Sequence, residues 1–206
     1  MLIRQAQAQD LETASELIFS SAANLLTLMF NVTEDVNALA YLKSAFSQHD
    51  GQYGFGNHWV IERDNQVVAI ASGWHYELSE AFHRATIQSI TNYYGLNYTL
   101  EIIQRCQVLQ GIFPAPQKDD WYIGHFAVSV VHQRQGLGAH LIKHMGELAL
   151  SKGKKNLTLD VEFANQAARL FYQRLGFRMA KQQVPVQQES GSQIGPYLHM
   201  VLPILI

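Results

Sequence analysis

The chain is 206 residues long, enough for one domain and short for two, and its 48% apolar and 16% charged residues can bury a sizeable core. Lys and Arg number 15 against 17 Asp and Glu, a net charge of −2 that leaves no basic surplus for phosphates and argues against a nucleic-acid binder. The single cysteine, Cys106, excludes an intrachain disulfide framework and a cysteine-based zinc finger. No stretch has the length of a membrane span, and the first residues lack a leader's apolar run, so a cytoplasmic protein with no membrane partner is expected.

Residues 2–4 read as a short edge strand. Asp10 is placed to cap a helix running to about Leu26, with Leu11, Ala14, Leu17, Ile18 and Leu25 near helical spacing. A second helix is predicted over 36–46, capped by Thr33. Residues 58–63 and 66–76 flank Asp64-Asn65 and predict an antiparallel hairpin. The interval 77–120 carries two helical patterns, roughly 79–94 and 99–109, before an irregular stretch over 113–120.

Residues 121–130 form the near-continuous apolar run of a strand buried on both faces. Leu141, Ile142, Met145, Leu148 and Ala149 make one helical stripe within 137–150, stopped at Gly153. A strand at 156–161, a helix at 165–175 and strands at 178–184 and 196–202 follow. The pattern indicates an α/β fold with a mixed, mostly antiparallel central sheet flanked by helices. A single domain over 1–206, with a helical insertion at about 77–120, is expected.

Gln133-Arg134-Gln135-Gly136-Leu137-Gly138 lies between the buried strand and a helix start. Glycines there permit left-handed backbone and close approach, and the first N–H groups of the helix would face an anion. The alternative is a strand-to-helix connection with no ligand. A dinucleotide fingerprint would need a third small residue where Leu141 stands, and a P-loop needs Gly-Lys-Ser/Thr, which is absent.

The stretches FAV (126–128), QRQGLG (133–138), LDV (159–161) and NQAARLFYQRLGF (165–177), in this order, resemble the GNAT superfamily of N-acetyltransferases, with its acyl-CoA N-acyltransferase fold. The loop matches that family's Gln/Arg-x-x-Gly-x-Gly/Ala pattern at Gln133, Gly136 and Gly138. The later element matches at Asn165, Ala168, Phe171, Tyr172, Gly176 and Phe177. Over 123–181 the likeness is nearest to ribosomal-protein alanine N-acetyltransferases; residues 1–76 match more loosely and 77–120 not at all.

The resemblance implies acetyl-CoA as co-substrate, with Gln133 opening the loop and the pyrophosphate on the backbone N–H groups of Arg134, Gln135, Gly136, Leu137, Gly138 and Ala139. It implies a pantetheine arm paired like an extra strand along Phe126, Ala127 and Val128, an oxyanion held by a backbone N–H there, and Asn165 bonding the arm or its surroundings. It implies direct attack by a primary amine, small-molecule or peptide, within a ternary complex. Cys106 lies in the unmatched interval and gives no support to an acyl-cysteine.

Tyr172 falls at the family's tyrosine position, whose hydroxyl can protonate the departing thiolate; its other reading is a core tyrosine. Two residues compete as general base, with a water-mediated route as the third reading. Asp160 stands where the alanine acetyltransferases carry a glutamate, but is one methylene shorter. His125 has a suitable intrinsic pKa, yet strand alternation puts it on the opposite face from Tyr122 and Gly124. His140 and His144 stand at i and i+4 without a third ligand, so no metal site is expected.

The apolar interval 77–120 walls the acceptor site, meets a second subunit in a homodimer, or completes the core. Glu77, Glu80, Asp119 and Asp120 near its ends either attract a cationic amine or form a solvated rim. Two functional classes stand side by side: an acetyl-CoA-dependent N-acetyltransferase, and a non-catalytic acyl-CoA-binding or sensing module of the same fold. Tyr172 and the complete 165–177 element favour the enzyme.

Overall fold

The computed structural model describes residues 1–110, 112–113, 115–182, 186–187 and 193–204. Its strands are β1 (Leu2–Gln5), β2 (His58–Arg63), β3 (Gln66–Trp74), β4 (Asp120–Val128), β5 (Asn156–Glu162), β6 (Arg178–Gln182), β7 (Val186–Gln187), β8 (Gln193–Ile194) and β9 (Tyr197–Pro203). Seven of them form one sheet in the order β1-β2-β3-β4-β5-β9-β6, and β7 and β8 pair separately. Within the large sheet only β4 and β5 run parallel. The expected mixed, mostly antiparallel architecture is the one observed. Positions 183 and 184 of the predicted sixth strand lie outside the described residues. The β2–β3 turn uses Asp64 and Asn65 at φ 52° and 59°, a left-handed pair whose twist suits a two-residue hairpin.

Helices cover both faces. α1 (Leu11–Ser21), α2 (Ala23–Phe30), α3 (Ala38–Phe46) and α4 (Glu80–Gln110) pack on one face, where Ile18, Phe30, Tyr41 and Phe46 meet Val60 and Ile70. α5 (Leu137–Ser151) and α6 (Gln166–Arg174) cover the other, with Leu141 and Met145 against Ile61, Leu157 and Leu159. Period-two alternation then puts Thr158, Asp160 and Glu162 of β5 on the α1–α4 side. Among the described residues, no single helix is long and apolar enough to cross a membrane.

Several local expectations are corrected. The helix predicted from Asp10 to Leu26 is two helices, bent by 100° at Ala22. The chain leaves helical geometry at Ala22 (φ −155°, ψ 50°), where the Ser20 and Ser21 hydroxyls donate to the carbonyls of Leu17 (2.9 Å) and Ile18 (2.6 Å). Asp10 makes no side-chain cap to α1; its carboxylate accepts from both Arg4 terminal nitrogens and the Gln7 amide, each at 2.8 Å. The cap of α3 is Asn37, accepting from the Ala40 amide at 3.0 Å, while Thr33 serves the preceding turn. The strand predicted to Val130 ends at Val128.

The insertion forms α4, broken at Gly95 (φ 69°). Its Ile90, Tyr94 and Ile102 enter the core beside Phe30, Tyr41 and Tyr53, and the Tyr94 hydroxyl donates to the Phe30 carbonyl at 2.6 Å. Ile87, Leu96 and Leu100 remain exposed. Three of the acids at its ends, Glu77, Asp119 and Asp120, are engaged beside the start of β4, at the opposite end of that strand from the β4–α5 loop. Asp119 pairs with Lys155 (3.0 Å), Glu77 with Lys154 (3.5 Å), and buried Asp120 accepts from Asn156 (3.0 Å). They fasten the α5–β5 connection to β4.

Candidate active site

Between β4 and α5 the chain makes one tight turn over Val130–His132, then passes through Arg134 (φ 60°) and Gly136 (φ 80°) into the helix. Left-handed residues closing on a helix start turn successive N–H groups to one side, and the first turn of α5 adds donors without intrahelical acceptors. An added Cβ at Gly136 would meet nothing closer than His140 at 3.8 Å, so its glycine answers to backbone handedness. Gly138 differs. A Cβ there would lie 2.9 Å from the tip of the Phe171 ring, so any side chain at this position displaces that ring whatever the loop binds.

Side chains brace the loop and leave its backbone presented. Gln133 donates to the Val128 carbonyl (3.2 Å), and Gln135 accepts from Arg63 (2.6 Å). Arg134 is exposed, Leu137 is core, and Ala139 is half-buried. His140 Nδ1–H donates to the Gly136 carbonyl at 2.9 Å, closing the first turn of α5.

β4 pairs with β5 only through Tyr122↔Thr158. Beyond it β5 continues on β9, and from Ile123 to Val128 the β5-facing edge of β4 has no ladder partner among the described residues. An open edge of a central strand can accept an extended chain. Phe126 flanks this gap, its ring 6.0 Å from those of both Phe171 and Tyr172.

Three polar groups meet where the strands part. Tyr172 is buried among Phe126, Phe171 and Phe177, and burial alone pushes its hydroxyl pKa up. Asp160 has a side chain only 1% exposed; Oδ1 accepts from His199 Nδ1–H at 3.1 Å, and Oδ2 is buried with no partner among the described residues. Tyr122 completes the group. Burial first, then the Asp160 carboxylate, holds its hydroxyl pKa well above the usual value, and Tyr172 adds to the effect. Nothing local in the sequence marks Tyr122 as part of the site, or signals that His199 lies opposite Asp160 in the β5–β9 register.

His125 is not where alternation puts it. The β3–β4 register runs Ile70↔Ala127 and then Ser72↔Gly124, so His125 and Phe126 together oppose Ala71: a β-bulge. His125 takes φ 40°, a left-handed conformation that costs a non-glycine residue about 1–3 kcal/mol. The bulge turns its ring to the face of Tyr122, against the expectation, where Nδ1 lies 3.1 Å from Ser72 Oγ and 3.2 Å from His58 Nε2. The ring stacks on Tyr53 at 4.9 Å and His58 at 5.4 Å. Burial lowers the pKa of both histidines, that of His58 to about 4, so both are neutral at pH 7.

The α1–α2 break opens a cleft of about 190 Å3 lined by Ser20, Ser21, Asn24, Glu162, Asn165 and Tyr197, among others. Burial pushes the Tyr197 hydroxyl up to about 12, with Glu162 and Asp160 adding to it, so both carboxylates act on this side of the sheet. Asn165 Oδ1 caps α6 by accepting from the Ala168 amide at 3.1 Å, which leaves its Nδ2 as a donor. The structure thus gathers Tyr172, Asp160 and Phe126 at the gap, sets the loop at the far end of β4, and puts Asn165 on the cleft.

A central sheet parted between its two parallel strands lies beside a loop that enters α5 through two left-handed residues. Residues 22–177 match the model of the acetyltransferase (GNAT) family, and the chain belongs to that family. Its fold is similar to that of an N-acetyltransferase from Staphylococcus aureus Mu50 (TM-score 0.66, 17% identity, 98% of this chain and 100% of that one). It is likewise similar to a ribosomal-protein-alanine N-acetyltransferase from Brucella melitensis (TM-score 0.59, 19% identity, 100% of both chains). A third is N-acetylglutamate synthase from Neisseria gonorrhoeae, solved with coenzyme A and N-acetyl-glutamate (TM-score 0.54, 16% identity, 100% of this chain and 35% of that one).

Proposed function

We propose that this chain is an acetyl-CoA-dependent N-acetyltransferase that acts on a primary amine by direct attack in a ternary complex. The observation that carries the reading is the gap between β4 and β5, with the Tyr172 hydroxyl and the partnerless Asp160 Oδ2 both reaching the place where the strands separate. Family membership supports acetyl transfer, and the residues fit the co-substrate: amides of Arg134 to Ala139 for the pyrophosphate, and the free edge from Phe126 to Val128 for the pantetheine arm. Acetyl-CoA supplies an activated thioester carbonyl.

The amine enters from the cleft side, past Glu162 and Tyr197. Asp160, oriented by His199, accepts a hydrogen bond from the amine at its buried Oδ2 and takes the amine proton there as the nitrogen attacks. The amine nitrogen forms a bond to the acetyl carbon, the carbon–sulfur bond breaks, and the departing thiolate takes the Tyr172 proton. A backbone N–H of β4 beyond the bulge stabilises the negative charge that develops on the carbonyl oxygen. Burial keeps Tyr172 protonated and thus a donor at neutral pH.

The test is thiol release from acetyl-CoA over an amine panel, with Tyr172→Phe and Asp160→Asn beside the wild type. Tyr172→Phe is expected to lower kcat by about 10²–10⁴-fold with CoA affinity kept. CoA binding by the wild type without thiol release on any amine would favour a non-catalytic acyl-CoA-sensing module instead.

A further inference from the structure

We propose that His58 is a positioning residue: through a directed pair of hydrogen bonds it holds His125 in its left-handed backbone conformation and so maintains the β4 bulge that shapes the acyl-CoA edge. The inference rests on the functional reading above only for what the bulge serves; the lock itself is a property of the fold.

The direction of the bonds follows from what each partner can do. His58 is fully buried, and its Nδ1 lies 2.9 Å from the Gly54 carbonyl oxygen. A carbonyl only accepts, so His58 Nδ1 carries the proton. The buried ring is neutral, which makes Nε2 a lone-pair acceptor, and the 3.2 Å contact with His125 then requires the proton on His125 Nδ1. That same N–H reaches Ser72 Oγ at 3.1 Å. Both tautomers are therefore set from Gly54 outward, across β2 to β4.

This geometry exists only with the bulge. In regular alternation the His125 side chain would lie on the α5 side of the sheet with Trp121 and Ile123, unable to reach His58 on the opposite face. The φ of 40° turns the ring onto His58, Ser72 and Tyr53, and by the same step returns Phe126 to the side of Phe171 and Tyr172. A left-handed histidine is unfavourable alone and persists where its surroundings over-determine it. The surroundings here are the acceptor nitrogen of His58, the Ser72 hydroxyl and the Tyr53 ring. Tyr53 and Tyr41, the ionisable groups packed around the pair, have hydroxyls whose pKa burial raises, so they stay uncharged and leave the bonds unaltered at neutral pH.

The experiment is a variant cycle read by CoA affinity in calorimetry and by amide hydrogen exchange over residues 124–128, neither of which needs an acceptor amine. His58→Leu keeps the volume and removes the acceptor; it should weaken CoA binding about tenfold and speed exchange at the bulge. His58→Gln restores an acceptor and a donor and should recover most of the loss. His58→Leu combined with His125→Gly should regain affinity, because glycine adopts the left-handed conformation without a lock, although the melting temperature stays low. Ser72→Ala is the milder arm should His58→Leu fail to fold. Unchanged affinity and exchange in His58→Leu, or a loss that His125→Gly does not relieve, would overturn the lock. A wild type that binds no CoA would instead refute the functional reading, and the exchange measurements would still decide the lock.

Discussion

His58 sets a measurable link between pH and stability. Its imidazole is fully buried and its pKa falls from 6.5 to about 4, chiefly because burial disfavours the charged ring. The unfolded chain therefore binds a proton at this site before the folded chain does, and stability falls as pH drops from about 6.5 towards 4. At pH 5 this one group should have removed about 2 kcal/mol of the stability present above pH 7, and below pH 4 the loss levels off at about 3 kcal/mol. His125, also held neutral by burial, acts in the same direction. The perturbation is His58→Phe, which cannot titrate. It strands the Gly54 carbonyl and leaves the His125 N–H with Ser72 Oγ alone, so it should be less stable at pH 7.5 by about 1–3 kcal/mol, the cost of one buried group left unpaired. The assay is urea unfolding followed by tryptophan fluorescence at steps from pH 7.5 to 5. The two stability curves should converge towards low pH, because only the wild type carries the His58 proton linkage. Curves that stay parallel would show that His58 is not held neutral, and the tautomer assignment would go with it.

Two further perturbations probe separate parts of the molecule. Gly136→Val forces a β-branched side chain into a φ of 80°, a strain of about 1–2 kcal/mol placed on the loop, and CoA affinity measured by calorimetry should fall about tenfold or more. Unchanged affinity in a folded variant would move the pyrophosphate site elsewhere. Ile102→Ala empties a fully buried position on α4 and should cost about 2–5 kcal/mol in denaturant unfolding while leaving CoA affinity intact. A cost below about 1 kcal/mol would mean that the second half of α4 is not part of the core.

What the sequence determined is what a short stretch of chain can determine. Apolar runs and periodicity located the strands and helices, and Asp64-Asn65 announced the hairpin because its left-handed turn depends on those two residues alone. The loop from Gln133 to Gly138 was legible as a glycine turn between strand and helix, and it gained meaning, as did the element from Asn165 to Phe177, through the resemblance to the family's motifs. Helix ends were less so, since the hydrophobic stripe continues past Ala22, where the backbone leaves helical geometry.

Tertiary structure decided everything that depends on which strands lie side by side. His199 meets Asp160 because β9 enters the sheet beside β5, and the bond joins residues 39 apart. His58 meets His125 across 67 residues, and the bulge that brings them together is a compromise between β3 and β4, encoded in neither strand alone. Strand alternation is a rule about one chain segment; a bulge is a property of a pair. That is why Tyr172 can be picked out from the family motif around it, whereas the face of His125 depends on the sheet.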